Sequence, residues 1–169
     1  MNRIMIDIET MGKGSNAAIL AIGAVKFNDH EIIDRFYSRA NLYSCEKLGM
    51  DMDADTVLWW MKQNDDARLE FTDSNIQPIS LTLMDFSRWC NKIDEVWGNG
   101  SDFDNVILKN AYQKCEIKAP WSFWQNRCYR TMKNIHKNIE APEFKGIKHN
   151  AADDAHNQAL HLIKILQSL

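Results

Sequence analysis

Apolar and polar residues alternate through Arg3-Ile4-Met5-Ile6-Asp7-Ile8-Glu9. A period of two belongs to a β-strand, so Ile4, Ile6 and Ile8 share one face while Met5, Asp7 and Glu9 share the other. The glycines of Met11-Gly12-Lys13-Gly14-Ser15-Asn16 then turn the chain. Ala18 to Phe27 is apolar and β-branched and predicts a second strand, and Glu31 to Arg39 a third after the turn Asn28-Asp29-His30. Short connections make these three an antiparallel meander. Helices are expected from about Ala54 to Gln63 and from Ser80, as N-cap, to Asn91. Glu95 to Asn99 predicts a fourth strand, followed by a helix from Asp102 or Phe103 to Lys114 and a shorter one over Thr131 to Lys137. The last helix runs from near Asn150 to Leu166, with Ala152, Ala155, Ala159, Leu162, Ile163 and Leu166 forming one stripe at spacings of three and four. Strands followed by strand–helix alternation imply a mixed α/β sheet flanked by helices.

The alternation has a chemical consequence. Asp7 and Glu9 lie on one strand face, roughly 6.6 Å apart along it, which is costly for two carboxylates without a cation between them. Oxygen ligands suit a hard divalent ion such as Mg2+ or Mn2+. Two solvated acids at a strand end are the plainer alternative, so the pair alone decides nothing.

Composition narrows the setting. The 169 residues, 45% hydrophobic and 25% charged, fit one globular domain over 1–169. No apolar run is long enough to span a membrane, and the first strand begins too early to leave room for a signal peptide. Cys45, Cys90, Cys115 and Cys128 are widely spaced and read as reduced thiols, which makes the cytoplasm the expected compartment. Net charge is only −3, but residues 109–148 hold nine Lys or Arg against three Glu, a distribution that suggests one basic face.

Two later segments answer Asp7 and Glu9. In Gly98-Asn99-Gly100-Ser101-Asp102-Phe103-Asp104 a strand ends in a glycine turn and a helix opens on acids. Helix capping accounts equally well for either aspartate alone. In Lys148-His149-Asn150-Ala151-Ala152-Asp153-Asp154, a His precedes a helix by two residues and an Asp follows in its first turn. That spacing lets a loop residue and a helix residue meet at one point.

Together these segments resemble the DEDD, or DnaQ-like, superfamily of 3′→5′ exonucleases. Asp7 and Glu9 match its Asp-x-Glu motif, and Asn99 with Asp104 (Asp102 the alternative) matches its second motif. His149 and Asp154 match His-x-x-x-x-Asp, which places the chain in the His branch, since Asn150 stands where the other branch has Tyr. The chain looks closest to the phage exonuclease A (DexA) type and related small bacterial exoribonucleases. Asp7-Ile8-Glu9-Thr10-Met11-Gly12, the Trp59-Trp60 pair, Ser101-Asp102-Phe103-Asp104 and Phe123-Trp124-Gln125-Asn126-Arg127 carry that similarity.

The resemblance implies an RNase H-like sheet, two divalent ions (Mg2+ or Mn2+), and single-stranded RNA or DNA 3′ ends as substrate. It assigns Asp7 to both ions, Glu9 and Asp154 to the site of the attacking water, and Asp104 to contact through water. His149 becomes the proton acceptor, a task that suits imidazole with its ordinary pKa of about 6.5. Trp59 and Trp60 are candidates for stacking on bases, and Arg127 and Arg130 for phosphate contact. Several members of the group are dimers, so a homodimer is the expected assembly. An RNase H-type endonuclease and a catalytically silent binding module are the rival readings.

Overall fold

A computed structural model describes residues 1–68, 75–100 and 102–169; Ser101, part of the second motif's sequence, lies outside the described residues. Strand β1 (Arg3–Thr10) pairs antiparallel with β2 (Ile19–Phe27), which pairs antiparallel with β3 (Ile32–Ala40). This is the expected meander. On the other side of β1 lies the parallel strand β5 (Glu95–Gly98), followed by β6 (Asn126–Cys128), also parallel. With β4 (Ile76–Gln77) against β3, the order among the described residues is β4-β3-β2-β1-β5-β6. The strand carrying Asp7 and Glu9 is therefore central.

The helices are α1 (Leu42–Lys47), α2 (Ala54–Met61), α3 (Asp65–Arg68), α4 (Ile79–Trp89), α5 (Asp104–Lys114), α6 (Tyr129–Ile135) and α7 (Ala151–Leu166). None is long and apolar enough to cross a membrane. The two faces of β1 feed separate cores. Ile4, Ile6 and Ile8 pack with Leu83 and Phe86 of α4 and with Ile107, Leu108 and Tyr112 of α5. Met5 packs on the opposite face with Ala155, Ala159, Leu162 and Ile163 of α7. Asp7 follows Met5 on that second face, and so lies under α7.

One expected cap is corrected. Ser80 does not cap α4, because Pro78 flanks the helix and Ile79 opens it. The orphan N–H of Ile79 donates instead to Ser44 Oγ of α1, 2.9 Å away, a partner remote in sequence. Helix α6 starts at Tyr129, two residues before the expected Thr131.

Candidate active site

Close backbone approaches bring the motifs together. In the β1–β2 ladder Asp7 stands opposite Gly23. A Cβ at Gly23 would lie 2.1 Å from the peptide joining Ala151 and Ala152. The missing side chain therefore lets the first turn of α7 settle on the sheet beside Asp7. Gly98 does the same for α5, since a Cβ there would lie 2.3 Å from Asn105 Oδ1 and 3.2 Å from Asp104. Two chain-distant helices thus begin at the carboxyl end of β1.

Asp104 is buried, and its carboxylate accepts from Ile8 N at 3.3 Å and Asn99 N at 2.9 Å. Those bonds tie the strand, the turn and α5 to one side chain. Asp102 is exposed, so the structure brings Asp104 and not its neighbour to β1. On α7, Asp154 Oδ2 accepts from His149 N at 2.8 Å. His149 has φ +65°, in the left-handed region that side chains seldom adopt, though His does so more readily than most residues. Asp153 braces the preceding loop instead: it accepts from Ile147 N at 2.8 Å and pairs with Arg35 at 2.6 Å. Asn150 caps α7 by accepting from Asp153 N at 3.1 Å, as expected.

Glu9, His149 and Asp154 each present a ligand atom within 4.8 Å of the others. Asp7 adjoins them. Burial, together with the charges of Asp104 and Asp154, holds its carboxyl well above the ordinary range. Burial pushes Asp104 up to about 6 against the pull of its two backbone donors and of Arg130. Burial also raises Asp154, opposed by the hydrogen bond from His149. All three shifts are set first by burial, which disfavours the charged carboxylate.

Gln158 was not foreseen. It lies one turn beyond Asp154, and its Nε2 donates to Asp7 Oδ1 at 2.7 Å. Spacing of i, i+4 on α7 is the signal that could have found it.

The aromatic pair divides. Trp60 is 3% exposed and donates from Nε1 to Thr10 O at 2.9 Å, so it packs in the core behind β1. Trp59 is 41% exposed, with its ring edge-on to His149 at 5.0 Å between centroids. Both line an open cleft of about 470 Å³ with Glu9, Lys13, Asp55 and Phe103. The arginines divide too. Arg130 is exposed, beside Gly100, and its charge reaches Asp104. Arg127 is not brought to the cluster. It pairs with Glu95 at 3.2 Å and donates to the carbonyls of Trp124 and Asn126, at the opposite end of β5.

Comparisons with known proteins fit this geometry. Over residues 2–166 the sequence matches the family described as Rv2179c-like, 3'-5' exoribonuclease Rv2179c-like domain. No curated protein sequence matches. Among solved structures, the zinc-bound form of the E. coli ExoI–ssDNA complex is similar with a TM-score of 0.67 at 14% identity. That match covers 99% of this chain and 40% of the other, so the chain spans about two-fifths of ExoI. Exonuclease X in complex with 5′ overhanging duplex DNA has a TM-score of 0.63 at 15% identity, covering 98% of this chain and 92% of that one. These two similarities establish the RNase H-like fold, and the family match establishes more: the chain belongs to the Rv2179c-like family, described as a 3'-5' exoribonuclease domain.

Proposed function

We propose that this exonuclease hydrolyses single-stranded RNA or DNA from the 3′ end to nucleoside 5′-monophosphates, using two divalent ions held by Asp7, Glu9, Asp104 and Asp154. The observation that carries the reading is the meeting of Glu9, His149 and Asp154 within 4.8 Å, with Asp7 beside them. The residues fit hard cations: the donors are mainly carboxylate oxygens, brought together from β1 and the start of α7. Bound Mg2+ or Mn2+ would neutralise charge on the phosphate and make water a better nucleophile.

The chain's own groups do the rest. His149, held through its N–H by Asp154 and against the Trp59 ring, is the acceptor for the proton of the attacking water. Gln158 orients Asp7. Trp59 offers a ring to the terminal base, with Trp60 as rigid backing. Arg130 is the cation for a phosphate near Asp104; Arg127, engaged with Glu95, is left to hold the sheet edge. The family description makes RNA the first polymer to try. A homodimer belongs to the same proposal and is read by sedimentation of the purified chain.

The test is a time course on 5′-labelled single-stranded RNA and DNA with Mg2+, with Mn2+ and with a chelator. A metal-dependent ladder shrinking from the 3′ side is expected. Internal fragments would indicate an endonuclease, and binding without turnover a silent module; either result overturns the proposal.

A further inference from the structure

Outside the acid cluster, the most exposed aromatic pair on a fixed backbone among the described residues is Phe123 and Trp124, 69% and 65% exposed. They sit on a short 3-10 turn, Phe123–Gln125. Gln125 accepts from Ser122 N at 2.7 Å and donates to Ile93 O, while Arg127 donates to Trp124 O at 2.8 Å. The backbone is therefore pinned although the rings face solvent. Large rings on a fixed turn lose little conformational freedom when something stacks on them.

Beside the rings, a cleft of about 330 Å³ runs between α5 and residues 117–124. Tyr112 and Trp121 form its floor, Lys109 and Lys118 reach its edges, and no acid lines it among the described residues. The Lys109 ammonium stands 5.8 Å from the Phe123 ring centroid. Rings for bases and lysines for phosphates are the chemistry of single-strand binding. An apolar protein partner would have no use for the lysines.

Position fits the same substrate. Helix α5 begins at Asp104, in the acid cluster, and carries Lys109 and Gln113 toward this cleft. At about 1.5 Å per residue that is roughly 7 to 14 Å along the axis. A strand whose bases stay stacked at the duplex rise of about 3.4 Å per nucleotide covers this in about two to four nucleotides.

We propose that the cleft between α5 and residues 117–124 is a second single-strand-binding site. It takes substrate nucleotides a few positions from the 3′ end by stacking bases on Phe123 and Trp124 and meeting phosphates with Lys109 and Lys118. The inference rests on the proposed single-stranded substrate and adds to it a dependence on strand length.

The test compares wild type, Trp124→Ala and Trp124→Phe on a 5′-fluorescein single strand of a dozen nucleotides and on a trinucleotide. Binding is read by anisotropy in chelator, and KM and kcat in Mn2+. Trp124→Ala is expected to weaken binding of the long strand and raise its KM by about five-fold or more, a typical effect of losing a stacking ring. Trp124→Phe restores most of the loss, kcat holds on both strands, and the trinucleotide, which reaches only the near edge of the cleft, loses less than the long strand. An unchanged long strand, equal losses on both strands, or a loss that follows conversion of dimer to monomer in sedimentation overturns the second site. If wild type shortens neither strand, the proposed function fails, and the binding measurement still decides the cleft.

Discussion

Replacing Gly23 by Ala tests how the fold delivers α7 to the acids. The new Cβ would stand 2.1 Å from Ala151 C and Ala152 N and 2.4 Å from Ala151 O, where ordinary contact begins at 3.4 Å. The start of α7 would have to retreat by about 1.3 Å, the shortfall from that contact distance. The obstructing atoms are backbone, so no side-chain rotation relieves the clash. Overpacking of this kind costs about 1–3 kcal/mol. In a chain of this size that lowers the melting temperature by about 2–12 °C. The same retreat carries His149 and Asp154 away from Glu9 and Asp7. A misplacement of about 1 Å at reacting groups costs about a hundred-fold in rate. Thermal melting and single-strand turnover of purified Gly23→Ala read both effects. Gly14→Ala is the control, because nothing lies within 4 Å of its Cβ position. Wild-type melting with wild-type turnover in Gly23→Ala would refute the close seat of α7. Lowered melting with full turnover would separate that seat from the chemistry.

Further outcomes follow from the site. Asp154→Ala and His149→Ala should each remove most turnover while the far-ultraviolet circular dichroism stays that of wild type; near-normal cleavage by either contradicts its assigned role. The metal-free protein should lose stability as pH rises from about 4 through about 6, because Asp7, Asp104 and Asp154 bind protons more tightly folded than unfolded. Melting in chelator and in Mn2+ at both ends of that range checks the sign, with the larger gain from Mn2+ expected at the higher pH. Tyr129→Phe should destabilise the fold by about 1–3 kcal/mol with kcat retained: His161 Nε2 faces Ile139 O at 2.8 Å and so carries the ring proton, which leaves buried Nδ1 to accept from the Tyr129 hydroxyl at 2.7 Å. Denaturant titration reads that loss, and an unchanged midpoint would mean that the bond carries no net stability.

The long, periodic elements were legible because burial imposes their period. Ile4, Ile6 and Ile8 enter one core and Met5 the other, as alternation requires, and the apolar stripe of α7 lies against the sheet. Strands of two and three residues, Ile76–Gln77 and Asn126–Cys128, are too short to show a period, and pairing alone defines them. Long-range partners hid other features. Ser44 rather than Ser80 satisfies the start of α4, and Glu95 takes Arg127 away from the cluster. Adjacent residues on a helix point about 100° apart, so Trp60 turns into the core while Trp59 stays half-exposed at the same cleft. Gln158 lies one helical turn beyond Asp154, a spacing that marks the face it shares, but the fold alone sets that face against Asp7.

The most direct test of the central claim is a crystal of the protein grown with Mn2+ and measured near the manganese absorption edge. The account predicts anomalous density among Asp7, Glu9, Asp104 and Asp154. Well-ordered side chains at these positions without such density, at Mn2+ concentrations that support turnover, would contradict it.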